Sequence, residues 1–148
     1  GVAIERGSDW MRVSRPKKII AFDLQTREYP GFPTDLQAPF VVLLTQALGQ
    51  SIVFEAVFDG RLSYIDDLNR MGAHIIPSDP RRITISGPTH LRGRQIDSPD
   101  LRAGLAFVIA ALVAKGESVV RNIYQIDRGY ERIEERLSAV GMKIKRVG

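Results

Sequence analysis

Apolar and polar residues change rhythm several times along the chain, and each change predicts an element. Residues 1–6 and 10–13 alternate around Gly7-Ser8-Asp9, which predicts a hairpin. An isolated hairpin is marginal in water, so this opening reads as part of a larger fold. After Arg15-Pro16, Lys18 to Asp23 predicts another short strand. Tyr29-Pro30-Gly31-Phe32-Pro33-Thr34-Asp35 then forms a stiff loop. The loop leads into a helix expected from about Leu36 to Ala47, stopped by Gly49. Thr34 or Asp35 is the expected cap, with Gln37 near the place of a capping-box partner. Ser51 to Phe58 is rich in β-branched and aromatic residues and predicts a strand. A short amphipathic helix follows from Tyr64 to Met71. A hairpin follows it, pairing Ala73–Ile76 with Arg82–Ser86.

The pattern then starts again. Ser98-Pro99-Asp100 opens a helix reaching about Lys115, with Pro99 expected at its first position. Ser118 to Ile123 predicts a strand, Asp127-Arg128-Gly129 a turn, Tyr130 to Val140 a helix and Met142 to Val147 a strand. The two series align: Asp35-Leu36-Gln37-Ala38 with Asp100-Leu101-Arg102-Ala103, and Ala47-Leu48-Gly49 with Ala114-Lys115-Gly116. Leu68-Asn69-Arg70-Met71-Gly72 likewise faces Leu137-Ser138-Ala139-Val140-Gly141. The expected fold is therefore α/β, an internal αβαβ repeat with units at about 34–97 and 98–148. Its helices turn inward, which accounts for the unbroken apolar run Ala103–Ala114.

Composition narrows the function classes. Of 148 residues, 44% are apolar and 26% charged, the balance of an ordered globular chain. The absence of cysteine excludes a disulfide scaffold, a Cys-ligated zinc and a cysteine nucleophile within this chain. The longest apolar run would give about 18 Å of helix, short of a hydrocarbon core of about 30 Å, so no membrane partner is expected. Residues 1–12 carry no secretory pattern. His74 and His90 show no metal-ligand spacing. A net charge of +4 permits an anionic partner without naming one.

Asp35, where a rigid loop enters a helix, is either a dipole-stabilised carboxylate or a positioned general base. Asp100 holds the matching place in the second unit. Arg102, a cation in the first helical turn, opposes the dipole unless an anion binds there. Arg61 and Arg128 follow equivalent turns. Together with Arg102 they suggest a cluster at one end of the repeats, apt for carboxylate or phosphate. Glu131 to Arg136 reads as a solvated face with local ion pairs, and Trp10 as a packing residue. Arg81-Arg82 and Lys143 to Arg146 could meet RNA phosphates, but no interleaved aromatic residues support base recognition.

Four segments carry a resemblance: Tyr29-Pro30-Gly31-Phe32-Pro33-Thr34-Asp35-Leu36-Gln37, Arg70-Met71-Gly72-Ala73-His74, Asp100-Leu101-Arg102-Ala103 and Ile126-Asp127-Arg128-Gly129-Tyr130-Glu131-Arg132. In order and spacing they resemble the UDP-N-acetylglucosamine 1-carboxyvinyltransferase family of enolpyruvyl transferases, over nearly the whole chain. The resemblance implies two domains built from inside-out α/β units, of which this chain corresponds to the C-terminal third. It implies two near-complete units plus the end of a preceding one. It implies Asp35 as general base at the sugar hydroxyl and Val57 as a backbone contact to UDP-N-acetylglucosamine. Arg61 and Arg102 would lie around the carboxylate of phosphoenolpyruvate and Arg128 near its phosphate, with Asp100 supporting Arg102. No cofactor is implied. The expected activity is transfer of the enolpyruvyl group to the 3-hydroxyl of UDP-N-acetylglucosamine, with release of phosphate. That is the first committed, cytoplasmic step of peptidoglycan synthesis. The chain is expected to be inactive without the family's N-terminal domain, its expected protein partner. A shikimate-branch enolpyruvyl transferase and a non-enzymatic RNA-binding module are the alternatives.

Overall fold

The computed structural model describes residues 2–147; Gly1 and Gly148, the outermost positions of the expected first strand and second unit, lie outside them. The predicted opening hairpin is present as β1 (Ala3–Arg6) and β2 (Met11–Ser14), antiparallel, with every residue exposed. Trp10 packs within it, its ring lying over Gly7, yet is 52% exposed. The strand expected at Lys18 to Asp23 is displaced. Ile20 makes a single bridge to Leu48, and the strand proper, β3, is Leu24–Gln25.

A 3-10 turn over Thr34–Leu36 leads into α1 (Gln37–Thr45). β4 (Gly49–Phe54) follows, then α2 (Ile65–Arg70) and the hairpin β5 (Ile75–Asp79) and β6 (Arg82–Gly87). These strands make one sheet in the order β3-β4-β6-β5, with β3 parallel to β4 and the other pairs antiparallel. Alternation along β4 and β6 turns Ser51, Val53, Ile83 and Ile85 inward. Beneath them lie Val41, Val42 and Leu44 of α1 and Leu68 of α2, all buried.

The second unit is slighter. β7 (Gln95–Asp97) pairs in parallel with β8 (Val119–Arg121), on either side of α3 (Leu101–Val113). α4 (Tyr124–Asp127) and α5 (Ile133–Ala139) follow. α3 packs on α1, so both helices are buried between the units, as the apolar run predicts. On another side of α3, Gly104 lets α4 approach: a Cβ there would come within 2.7 Å of Ile126 and 2.4 Å of the Ser98 hydroxyl.

Three expectations at element ends are corrected. Asp100, not a residue before it, is the N-cap of α3, which leaves Pro99 outside the helix. Neither Thr34 nor Asp35 caps α1, and Gln37 is no capping-box partner. The strand expected at Met142 to Val147 does not form. A strand needs a neighbour for its backbone groups, and no described strand pairs with this segment; β8 faces it only across a cavity. Arg146 holds it instead, with bonds to Asp127 at 2.7 Å and Glu134 at 3.0 Å. No described helix is long and apolar enough to cross a membrane.

Candidate functional site

The site begins with a buried carboxylate that the sequence reading did not single out. Glu55 continues the inward alternation of Ser51 and Val53 one step past the end of β4, and it is 0% exposed. A charge so buried is tolerable only if its oxygens are fully engaged. Oε1 accepts from the Thr26 hydroxyl at 2.8 Å and from the Val57 and Phe58 N–H groups at 3.0 and 3.1 Å. Oε2 accepts from the Thr34 hydroxyl at 2.9 Å. Glu55 thus ties the chain after β3, the end of the Pro-rich loop and the turn after β4 to one point.

That anchoring decides what Asp35 does. With the Thr34 hydroxyl spent on Glu55, neither side chain turns back to cap α1. Asp35 stays 63% exposed on its side chain and reaches across to the other unit. Its Oδ1 accepts from Arg102 Nε and lies 3.5 Å from Arg61 Nη1. The Arg61 guanidinium is itself stacked over the Phe58 ring at 4.5 Å. The Arg102 hydrogen bond, with the charges of Arg102 and Arg61, holds the Asp35 carboxyl below its usual range despite some desolvation.

Asp100 behaves differently. Its Oδ1 accepts from the N–H groups of Arg102 at 2.7 Å and Ala103 at 3.1 Å, which caps α3 and fixes the backbone carrying Arg102. Val57 is half-buried with its N–H taken by Glu55, and its carbonyl accepts no hydrogen bond among the described residues. Arg128 is exposed at the C-terminal cap of α4. The adjoining Gly129 sits against Leu101, where a Cβ would come within 2.8 Å of the leucine methyls. Arg128 therefore flanks the start of α3 without lining the cavity described next.

Between the starts of α1 and α3 lies a cavity of about 150 Å³, walled by Thr34, Gln37, Arg61, Tyr64, Asp100 and Arg102 together with two alanines. It suits a small anionic group rather than a nucleotide. Burial, and then the charges of Glu55 and Asp100, push the Tyr64 phenol well above its usual pKa, so it remains a hydroxyl donor. It donates to Gln37 Oε1 at 2.9 Å. Among the described residues no His, Asp and Glu cluster is placed to hold a metal ion.

The sequence did carry a signal for Glu55: an acidic residue at the apolar phase of a strand. Gln37 stood in view as a capping partner, and only the packing reveals it as a buried wall. Of the basic positions considered for RNA, three arginines are engaged elsewhere. Arg81 pairs with Asp59 at 2.6 Å, Arg82 lies over the Phe54 ring, and Arg146 bonds Asp127 and Glu134.

Residues 1–137 match the family described as EPSP synthase (3-phosphoshikimate 1-carboxyvinyltransferase). UDP-N-acetylglucosamine 1-carboxyvinyltransferase of Helicobacter pylori (strain ATCC 700392 / 26695) is 45% identical over 99% of this chain. The protein of that name from Koribacter versatilis is 45% identical over all 148 residues of this chain. The chain spans 35% and 34% of those two relatives, about a third of each. Among solved structures, the enolpyruvyl transferase NikO from Streptomyces tendae superposes with a TM-score of 0.89 at 26% identity, over 98% of this chain and 34% of its own. EPSP synthase from Acinetobacter baumannii shares the fold, with a TM-score of 0.68 at 19% identity over 100% of this chain and 35% of its own.

Proposed function

The chain belongs to the EPSP synthase (3-phosphoshikimate 1-carboxyvinyltransferase) family of enolpyruvyl transferases, and from that premise we propose that it forms one wall of an enolpyruvyl transfer site. The acceptor is the 3-hydroxyl of UDP-N-acetylglucosamine, and the donor is phosphoenolpyruvate. The curated relatives that carry the sugar-nucleotide name favour this branch over the shikimate one. The observation that carries the reading is a single carboxylate, Asp35, held between Arg61 and Arg102 from different repeat units at the mouth of a small cavity.

In this reading the two arginines exchange Asp35 for the substrate carboxylate. A free Asp35 is then a stronger base than one held by two guanidinium groups, so the base is released when the donor binds. The sugar hydroxyl attacks the central carbon of phosphoenolpyruvate and gives its proton to Asp35. The terminal carbon takes a proton from an acid outside this chain, which yields a tetrahedral adduct. Loss of phosphate and of a proton from that methyl group leaves the enolpyruvyl ether. Arg61 and Arg102 steady the carboxylate throughout, and Arg128 meets the leaving phosphate. Asp100 keeps Arg102 in place, and the Val57 carbonyl is offered to the sugar nucleotide.

The other wall and its acid belong to polypeptide beyond this chain, so the chain alone is inactive. The step is the committed entry to peptidoglycan synthesis in the cytoplasm. The test mixes this chain with the separately made N-terminal portion of the Helicobacter pylori relative and follows phosphate release from both substrates. Turnover that is lost in Asp35→Ala is expected. Absence of turnover from an assembled pair of folded pieces would contradict the reading.

A further inference from the structure

Gln37 is 2% exposed, and its side-chain nitrogen has no hydrogen-bond partner among the described residues. A buried amide N–H₂ left unpaired costs free energy comparable to one or more lost hydrogen bonds, so its position calls for an acceptor. Its oxygen accepts from the Tyr64 hydroxyl at 2.9 Å, so the nitrogen is the end of the amide left for an acceptor, and Gln37 stands in the wall of the cavity. The same cavity is lined by Arg61 and Arg102. The repeat alignment supplies a second, independent observation. Gln37 is the first-unit counterpart of Arg102, since both stand two residues after the aligned aspartates Asp35 and Asp100. The two helix starts therefore present equivalent positions to one space, one with a cation and one with a neutral donor.

We infer that Gln37 is a substrate-binding residue, its Nε2 donating to a carboxylate oxygen of the enol-phosphate substrate held between Arg61 and Arg102. The inference rests on the transfer reading above and adds a residue to it. A neutral donor suits this place. The Asp35 carboxylate already stands against two guanidinium groups, and the buried amide adds direction without adding charge to desolvate. The volume of about 150 Å³ fits a carboxylate and part of its three-carbon chain.

The experiment titrates the full 148-residue chain with phosphoenolpyruvate and follows the assigned side-chain amide signals of Gln37 and the Nε signals of Arg61 and Arg102 by NMR. Pyruvate and inorganic phosphate serve as separate arms. The Gln37 amide protons are expected to shift downfield with phosphoenolpyruvate and with pyruvate. Gln37→Met should weaken binding about tenfold or more, the scale of a hydrogen bond to a charged group. Tyr64→Phe, which removes the same internal bond but keeps the nitrogen, should bind closer to the unaltered chain than to Gln37→Met. Arginine signals that move while the Gln37 amide stays still would overturn the inference and leave the transfer reading standing. Equal losses in Gln37→Met and Tyr64→Phe would assign Gln37 a structural role only and overturn it. A shift with phosphate and none with pyruvate would overturn the carboxylate assignment. The titration is repeated on this chain assembled with the N-terminal portion of the Helicobacter pylori relative, and no movement of any of these signals there at millimolar phosphoenolpyruvate would overturn both. The amide shift is read on the unaltered chain, so a variant that fails to fold leaves the test intact.

Discussion

The starts of α1 and α3 occupy the same place in two aligned units, and each carries an aspartate, yet the two carboxylates have opposite occupations. Asp100 turns back on its own helix and satisfies the N–H groups of Arg102 and Ala103. Asp35 leaves its helix uncapped and meets Arg102 and Arg61 from outside. The difference lies in what precedes and supports each residue. Asp35 sits inside a 3-10 turn, Thr34–Leu36, that follows Pro33, and the Thr34 hydroxyl of that turn is held by Glu55. The second unit has Asn122 where the first has Glu55, counting from the aligned pairs Ser51 with Ser118 and Val53 with Val120. Asn122 adopts a left-handed backbone with φ of 56° and organises no loop of this kind. A repeat can therefore keep a residue and change its chemistry by changing what lies behind it.

The comparison can be broken most forcefully at the reacting group. Asp35→Asn should lower phosphate release by the reconstituted enzyme about 10²–10⁴-fold, the range for a lost general base. Asp100→Asn, which keeps a capping side chain, should lower it far less. The next effect is on stability. Glu55→Ala strands the Thr26 and Thr34 hydroxyls and two N–H groups, and should cost about 3 kcal/mol in urea unfolding. Asn122→Gly, at a position glycine tolerates, should stay within about 0.5 kcal/mol. A smaller effect separates the aspartates themselves. Asp100→Ala should lose about 1 kcal/mol of capping, whereas Asp35→Ala, which removes no cap, should change stability by no more than about 0.5 kcal/mol.

The smallest effect concerns the end of the second unit. Hydrogen bonds from Arg146 hold Asp127 and Glu134 below their usual carboxyl values of 3.8 and 4.5. Depressed folded values mean that this stabilisation is complete above those usual values and is lost as pH falls through the lowered ones. Amide protection in residues 142–147, taken relative to the intrinsic exchange rate at each pH, should therefore fall below about pH 4, and Arg146→Ala should show the lower protection already at neutral pH.

Much of this architecture was legible before any coordinates. The two helical runs, the hairpins around Gly7 and before Gly87, and the alignment of the units followed from periodicity and turn residues. The inward-facing helices followed from a run, Ala103–Ala114, with no polar face to give to water. The end strand was misread because Met142 to Val147 has strand composition, but strand formation depends on a neighbour that local sequence does not report. Helix caps were misassigned at Thr34 because its hydroxyl can either accept from the N–H groups of the helix start or donate to a carboxylate, and donation across 21 positions to Glu55 wins. Glu55 itself shows in the sequence only as a carboxylate out of phase. The unpaired nitrogen of Gln37 is a property of packing alone. Arg61 and Arg102 were legible as a cluster because the repeat places them at one end, and their meeting at one carboxylate was not.

The most direct measurement is the Asp35 carboxyl pKa, read from its side-chain carbon signal across a pH titration, with and without saturating phosphoenolpyruvate. The account predicts a value below the usual 3.8 in the free chain, since Arg102 and Arg61 favour the charged form. It predicts an upward move when the substrate carboxylate takes the arginines. A free value at or above 3.8, or a low value that phosphoenolpyruvate leaves unchanged while bound, would contradict it.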